Sequence, residues 1–304
     1  MTTDRPPAVS VIIPTHNRAG GMLQRAVASV LDQTVRDLEL LVVDDASTDG
    51  TQEYLGAVTD PRVRSVRHST AKGGCAARNT GVAEARGRYV AFLDDDDIWL
   101  PGKLEAQLGS LEARNADFAY AGWRWVNSAT GATVKERVPD SSGLIAGRPR
   151  WFFNCINDIV IRTELARETP FNEDTGLMYP NTDLLIRLAG TGKPAWSSGI
   201  VSDCFEHPGP RTSDSRKALA DGIEYVLTTH REFLSAHSKE RTDYLVRLGA
   251  SRLGYEKRVS GLRHFARALS ANPSDVRVWK HTAAATLRYF VRRPERNGSG
   301  GTGG

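Results

Sequence analysis

The chain has 304 residues, 40% hydrophobic and 25% charged, with a formal net charge of +4. That composition excludes a disordered or fibrous chain and leaves room for one large α/β domain plus an appendage. Three widely spaced cysteines, Cys75, Cys155 and Cys204, form neither a disulfide framework nor a zinc signature. No run approaches the roughly eighteen apolar residues of a membrane span. Met1 to Ala8 is polar and lacks a signal-peptide pattern, so a cytoplasmic protein is expected. The charge is uneven: residues 1–204 carry 22 Lys/Arg against 26 Asp/Glu, and residues 205–304 carry 18 against 10. A basic final third suits nucleic acid, anionic lipid or plain solubility. No nucleic-acid recognition motif accompanies it, so no nucleic-acid partner is expected.

In chain order, Val9 to Ile13 is a β-branched run stopped by Pro14, which predicts a buried strand. Leu23, Ala26, Val27, Val30 and Leu31 follow at helical spacing. Leu38 to Val43 predicts a second strand, ended by the turn-rich Asp44 to Gly50. Thr51 to Ala57 predicts a short helix and Val63 to Val66 a third strand. Ala76 to Ala85 reads as a helix entered through Gly73-Gly74, and Tyr89 to Leu93 as a fourth strand running into Asp94-Asp95-Asp96-Asp97. Such alternation predicts an α/β fold with a mostly parallel sheet flanked by helices. Ligands of these sheets bind beyond the carboxyl ends of the strands. The clusters Thr15-His16-Asn17-Arg18, Asp44-Asp45 and Asp94 to Asp97 all follow strands, so they are expected to share one crevice. Residues 118–210 are irregular and aromatic-rich, and the pattern turns helical from about Asp214. Three segments follow: a catalytic domain over 1–213, a helical region over 214–296, and a Gly/Ser-rich disordered tail over 297–304.

Four adjacent carboxylates repel one another unless a cation or protons neutralise them. Oxygen-only ligation suits Mn²⁺ or Mg²⁺, which bind one or two carboxylates together with substrate phosphates. The competing reading has Asp97 or a neighbour capping the helix that Pro101 helps to start. Asp44 can accept the imide N–H of a uracil-type base or the N–H edge of guanine, or it can simply stabilise its turn. Lys72, Gly73 and Arg78 offer a helix N-terminus and two cations to a diphosphate. No GxGxxG follows the first strand and no GxxxxGK[ST] occurs, so the dinucleotide and P-loop readings lose their main support.

Together, the segments Val9 to Arg18, Leu41 to Thr51, Gly73 to Gly81 and Gly87 to Pro101 resemble the inverting glycosyltransferases of family 2, which have the GT-A fold. The resemblance implies transfer of one sugar from a nucleotide-diphosphate sugar, with UDP-sugars favoured, to a hydroxyl acceptor such as a lipid-linked glycan. It implies that Pro14, Thr15 and Asn17 line the donor site, that Asp44 meets the base, and that Arg78 lies near base and phosphates. It assigns Asp94 to Asp96 to the metal-binding motif, with Asp96 as direct ligand. Asn181-Thr182-Asp183 occupies the place of the family's Glu-Asp pair. Asp183 is then the general base, and Thr182 replaces the Glu. The bland reading has Asp183 capping a helix over Leu184 to Ala189. His207 and Arg211 fall where the family has a loop over the diphosphate, which implies a third metal ligand and a phosphate cation. The processive Gln-x-x-Arg-Trp motif is absent from the sequence. Two rival readings remain, a nucleotidyltransferase and a non-catalytic nucleotide-sugar-binding module.

Gly254 to Trp279 has the look of one tetratricopeptide-like helix pair, broken at Asn272-Pro273. In the last helix Val276, Trp279, Ala283, Leu287 and Phe290 share a stripe, with Arg277, His281, Arg288 and Arg292 opposite. This stripe either packs on the rest of the protein or meets an anionic membrane, which would place the protein at the inner membrane face.

Overall fold

The computed structural model describes residues 5–145, 149–153, 155–174, 179–206, 215–253, 258–274 and 276–291. The chain separates into two compact units, one holding the described residues up to 206 and the other those from 215 onward.

The first unit begins with β1 (Val9–Thr15), α1 (Met22–Leu31), β2 (Leu38–Asp44), α2 (Thr51–Ala57), β3 (Val63–Arg67), α3 (Gly74–Glu84) and β4 (Tyr89–Phe92). β1 pairs in parallel with both β2 and β4, and β2 with β3, giving the order β3-β2-β1-β4. In β1, β2 and β4 the apolar runs are long because these strands are buried on both faces, unlike the edge strand β3. Val9, Val11, Ile13, Leu40 and Val42 pack on Leu23, Ala26, Val27 and Val30 of α1. Each such side chain contributes about 1.5–3 kcal/mol by leaving water. On the other face α3 comes so close that a Cβ on Gly81 would lie 2.5 Å from Ile12 Cγ2. Only glycine permits that approach.

The sheet then changes direction. After β5 (Ile98–Trp99) and α4 (Lys103–Arg114), β6 (Phe118–Asn127) pairs with β7 (Thr133–Arg137). A 3₁₀ turn at Arg150–Phe152, β8 (Ile159–Arg162), α5 (Thr163–Glu168), α6 (Pro180–Thr191) and β9 (Pro194–Glu206) complete the unit. β4 pairs antiparallel with β8, β8 with β6, and β9 with β5, whereas β6 and β9 run parallel. The full order is β3-β2-β1-β4-β8-β6-β9-β5.

Two capping expectations give way to other roles. Gly102, not an aspartate, is the N-cap of α4, and no side chain caps it. α6 starts at Pro180 with Tyr179 as N-cap, so Asp183 sits inside the first turn instead of capping it.

The second unit is helical: α7 (Arg216–Thr229), α8 (Arg231–Ser235), α9 (Ser238–Leu253), α10 (Arg258–Ala271) and α11 (Val276–Val291). Ser215 caps α7, its hydroxyl accepting from the Ala218 N–H at 3.2 Å. α9 and α10 meet through glycines, since a Cβ on Gly261 would fall 2.6 Å from Leu253. Leu245, Ala268 and Val278 form the core, and α10 ends just before Asn272-Pro273. Among the described residues no helix is long and apolar enough to cross a membrane.

Candidate active site

From β1 the chain runs through α1 to β2 on one flank, whereas from β4 it runs through β5 and α4 to β6, beyond β8 on the other flank. A crevice opens at such a reversal, outside the carboxyl ends of the strands. Thr15 ends β1 and Asp94 follows β4 closely. The Thr15 hydroxyl donates to Asp95 Oδ2 at 2.7 Å and ties the two loops together. Pro14, Thr15, His16, Asn17, Arg18, Asp44, Asp45, Lys72, Gly73, Arg78, Asp94, Asp95 and Asp96 are all described residues, and the strand order brings their loops to this end of the sheet.

The β1 and β2 loops are laced to each other. The Asp45 N–H donates to the Thr15 carbonyl at 2.8 Å. Asn17 adopts the left-handed region at φ 55, and its Oδ1 accepts from the Thr48 N–H at 2.8 Å. His16 Nδ1 lies 2.6 Å from the Asp45 carbonyl, which requires the proton on Nδ1.

Asp44 is fully buried. Its Oδ1 accepts from the Ser47 N–H at 3.0 Å, while Oδ2 accepts from Arg67 at 2.7 Å and from Gln52. Three of about four lone-pair positions are therefore occupied from within the protein. Asp45 anchors the turn into α3: its carboxylate accepts the Lys72 N–H at 2.8 Å and the Gly73 N–H at 2.7 Å, and it faces His68 at 2.7 Å. Burial pushes the Asp45 carboxyl up, but the Lys72, His68 and Gly73 bonds outweigh it and hold the group below its usual range. Gly73 takes φ 94, as the tight entry to α3 demands. The Lys72 side chain is exposed.

The four aspartates go separate ways. Asp94 pairs with Arg78, and Asp96 lies 3.5 Å from Arg18. Asp95 is buried, bonds Thr15, and lies 3.3 Å from Arg18 Nε. Burial, against Thr15 and Arg18 and aided by repulsion from Asp96 and Asp94, pushes its carboxyl up to about 6. Asp97 accepts the Phe205 N–H at 2.7 Å and the Asn157 amide at 2.5 Å, which clamps the loop to β9. Burial, with Asp94 and Asp96 nearby, pushes Asp97 well above the usual carboxylate range. Asn157, like Arg67 and Gln52 at Asp44, is a residue that sequence reasoning missed. Its Oδ1 also accepts the Asp94 N–H at 2.8 Å, and no local pattern announces either bond.

Among the described residues, no group of three His, Cys, Asp or Glu side chains forms a ready metal cage. Asp94 and Asp96 are the two partly exposed members, at 34% and 29% of the side chain. Their all-oxygen donor set fits an ion that takes one or two carboxylates and completes its shell with phosphates.

Asp183 is 2% exposed and lies 2.8 Å from Arg187 one turn on. Cys75, at the start of α3, shows which charges gather here. Burial raises its thiol, Arg78 opposes, and the carboxylates of Glu173, Asp183 and Asp94 reinforce the rise. Asp183 and Asp94, on different elements, therefore both lie within electrostatic reach of the same thiol. His207 and Arg211 lie outside the described residues.

Comparison with known proteins agrees with this geometry. The glycosyl transferase family 2 profile matches residues 10–172. A UDP-Glc:alpha-D-GlcNAc-diphosphoundecaprenol beta-1,3-glucosyltransferase of Escherichia coli, WfgD, is 40% identical over 120 residues, covering 40% of this chain and 47% of its own. The chain spans about half the length of the curated relatives it matches. In fold, it is similar to Staphylococcus aureus TarS 1–349 in complex with UDP-GlcNAc, with TM-score 0.61, 17% identity, and 95% and 82% of the two chains covered. It is also similar to the mannosyltransferase PcManGT of Pyrobaculum calidifontis in complex with GDP-Man and Mn²⁺, with TM-score 0.59, 16% identity, and 94% and 88% covered. The sheet is thus of GT-A type, and with more than half its length matched the chain belongs to glycosyl transferase family 2.

Proposed function

We propose that this protein transfers a single sugar, with inversion, from a nucleotide-diphosphate sugar to a hydroxyl acceptor, UDP being the favoured carrier and a lipid-linked glycan the favoured acceptor class. The observation that carries the reading is the meeting of Arg18 and Arg78 with the Asp94–Asp96 loop at the reversal point of the sheet. The curated relative's acceptor, a diphosphoundecaprenol-linked sugar, supports the acceptor class.

Asp94 and Asp96 would hold Mn²⁺ or Mg²⁺, and the ion would offset charge gathering on the departing diphosphate. Arg18 and Arg78 turn from the acidic loop to phosphate oxygens, where guanidinium geometry is well matched. Thr15 and Asn17 wall the donor pocket, and Asp45 with Gly73 fixes the turn that Lys72 and Arg78 flank. Asp44 meets the base through its remaining lone pair. Opposite the leaving group, Asp183 takes the acceptor hydroxyl proton as the oxygen attacks the anomeric carbon, and the bond to diphosphate breaks as the new bond forms. Arg187 orients that carboxylate through its bonds to Asp183 Oδ2. Thr182, where the family has Glu, brings a hydroxyl in place of a second carboxylate to the acceptor side.

Product analysis tests the reaction type. UDP-glucose, Mn²⁺ and a lipid-diphosphate N-acetylglucosamine acceptor should yield free UDP and a β-linked product. Pyrophosphate release from UTP and glucose 1-phosphate, with no UDP released from UDP-glucose, would instead indicate nucleotidyl transfer. Tight metal-dependent UDP binding without turnover on any hydroxyl acceptor would leave a binding module. Asp96→Ala should abolish the Mn²⁺-dependent part of UDP affinity in calorimetric titration, and unchanged affinity would remove Asp96 from the metal site.

A further inference from the structure

α11 has two apolar faces where a surface helix needs one. Val278 is 2% exposed and closes the core of the helical unit with Leu245 and Ala268. Val276, Trp279 and Leu287 are 63%, 54% and 65% exposed, and Ala283 between them is exposed as well. Steps of three and four residues put these side chains on one face. The Trp279 indole N–H donates to the Pro273 carbonyl at 3.0 Å, so the ring can leave water with its polar atom already bonded. The segment 276–293 contains Arg277, Lys280, Arg288, Arg292 and Arg293 and no acidic residue.

Charge selects the occupant. A second copy would cover the apolar stripe but bring no carboxylate to the cations, since the segment itself holds none. An anionic bilayer meets both features, taking the apolar stripe at the headgroup boundary and the cations at its surface. We propose that α11 docks the protein reversibly on anionic phospholipid. The inference goes beyond the sugar-transfer reading and stands without it.

The test is co-sedimentation of the full-length protein with phosphatidylcholine vesicles, with and without phosphatidylglycerol. The protein should pellet with the anionic vesicles at low salt and be released by high salt or pure phosphatidylcholine. Trp279→Ser with Leu287→Ser should weaken binding at least tenfold without lowering the melting temperature, because both side chains are exposed. Lys280→Glu should weaken it by about fivefold or more, the scale for one basic residue at such a surface. Should the double variant fold poorly, brominated acyl chains serve instead, since tryptophan quenching in the wild type requires a ring at acyl depth. Protein that stays in the supernatant with anionic vesicles at low salt overturns the proposal. So does pelleting that the double variant leaves unchanged, or self-association through the stripe without vesicle binding.

Discussion

Ala46 is held at φ 59, between Asp45 and Ser47, whose side chains anchor two different loops. An L-residue there costs roughly 1–2 kcal/mol, and glycine returns about 0.5–1 of that as unfolded-state entropy. Ala46→Gly should therefore stabilise the protein by about 0.5–1 kcal/mol, visible as a higher denaturation midpoint with an unchanged denaturant slope. A lower midpoint would mean that the turn is not strained. Lys103 offers a second test. It is fully buried beside Trp99 and Gln107, and burial, opposed by Asp158 and Cys155, lowers its ammonium to about 7. The Trp99 face favours the cation and limits this drop without reversing it. Between that value and the ordinary lysine range the unfolded chain holds a proton that the native chain lacks, so stability rises as pH climbs from 7 toward 10. Lys103→Met should flatten that rise, and parallel profiles for the two proteins would refute the assignment. Asp183→Asn tests the base: donor affinity should persist while transfer falls ~10²-fold or more, the usual scale for general-base loss. Near-normal turnover would place the base elsewhere.

At the scale of elements, the contact between α3 and β1 is the most exacting. Gly81→Ala puts a methyl 2.5 Å from Ile12, so α3 must back away and carry Arg78 with it. We expect a loss of about 1–3 kcal/mol, typical of overpacking, together with weaker UDP binding. Full retention of both would mean that α3 tolerates displacement. The elements β1 to β4 were readable because continuous apolar runs, helical spacing and turn residues agree with one another throughout. The strands after residue 97 were not. β9 is thirteen residues long, alternates poorly between exposed and buried, and buries Ser202 and Asp203. Asp203 is acceptable there only because Arg124 of β6, far off in sequence, bonds it at 2.5 and 3.0 Å. The site divides in the same way. Its acidic loop and arginines stand out as clusters, whereas Asn157, Arg67 and Gln52 act through pairings that only the folded chain creates.

For the molecule as a whole, ligand linkage supplies the broadest test. A donor that binds only the native state stabilises it by about 2.7 kcal/mol at a hundredfold excess over Kd. UDP with Mn²⁺ should raise the melting temperature by on the order of 5 °C in a chain this size, and a chelator should abolish the shift. An equal shift without metal would separate nucleotide binding from the acidic loop. The pairing of Arg18 and Arg78 with Asp95, Asp96 and Asp94 has a consequence for what such titrations record. The ligand-free crevice already pairs its arginines with carboxylates, so a metal–diphosphate complex enters by metathesis, as two dissolved salts trade ions. Contacts are exchanged more than created, and the heat of binding should accordingly be small and its dependence on ionic strength shallow. A free cation alone brings only one half of the trade, and a nucleoside without phosphates brings neither, so the crevice stays locked.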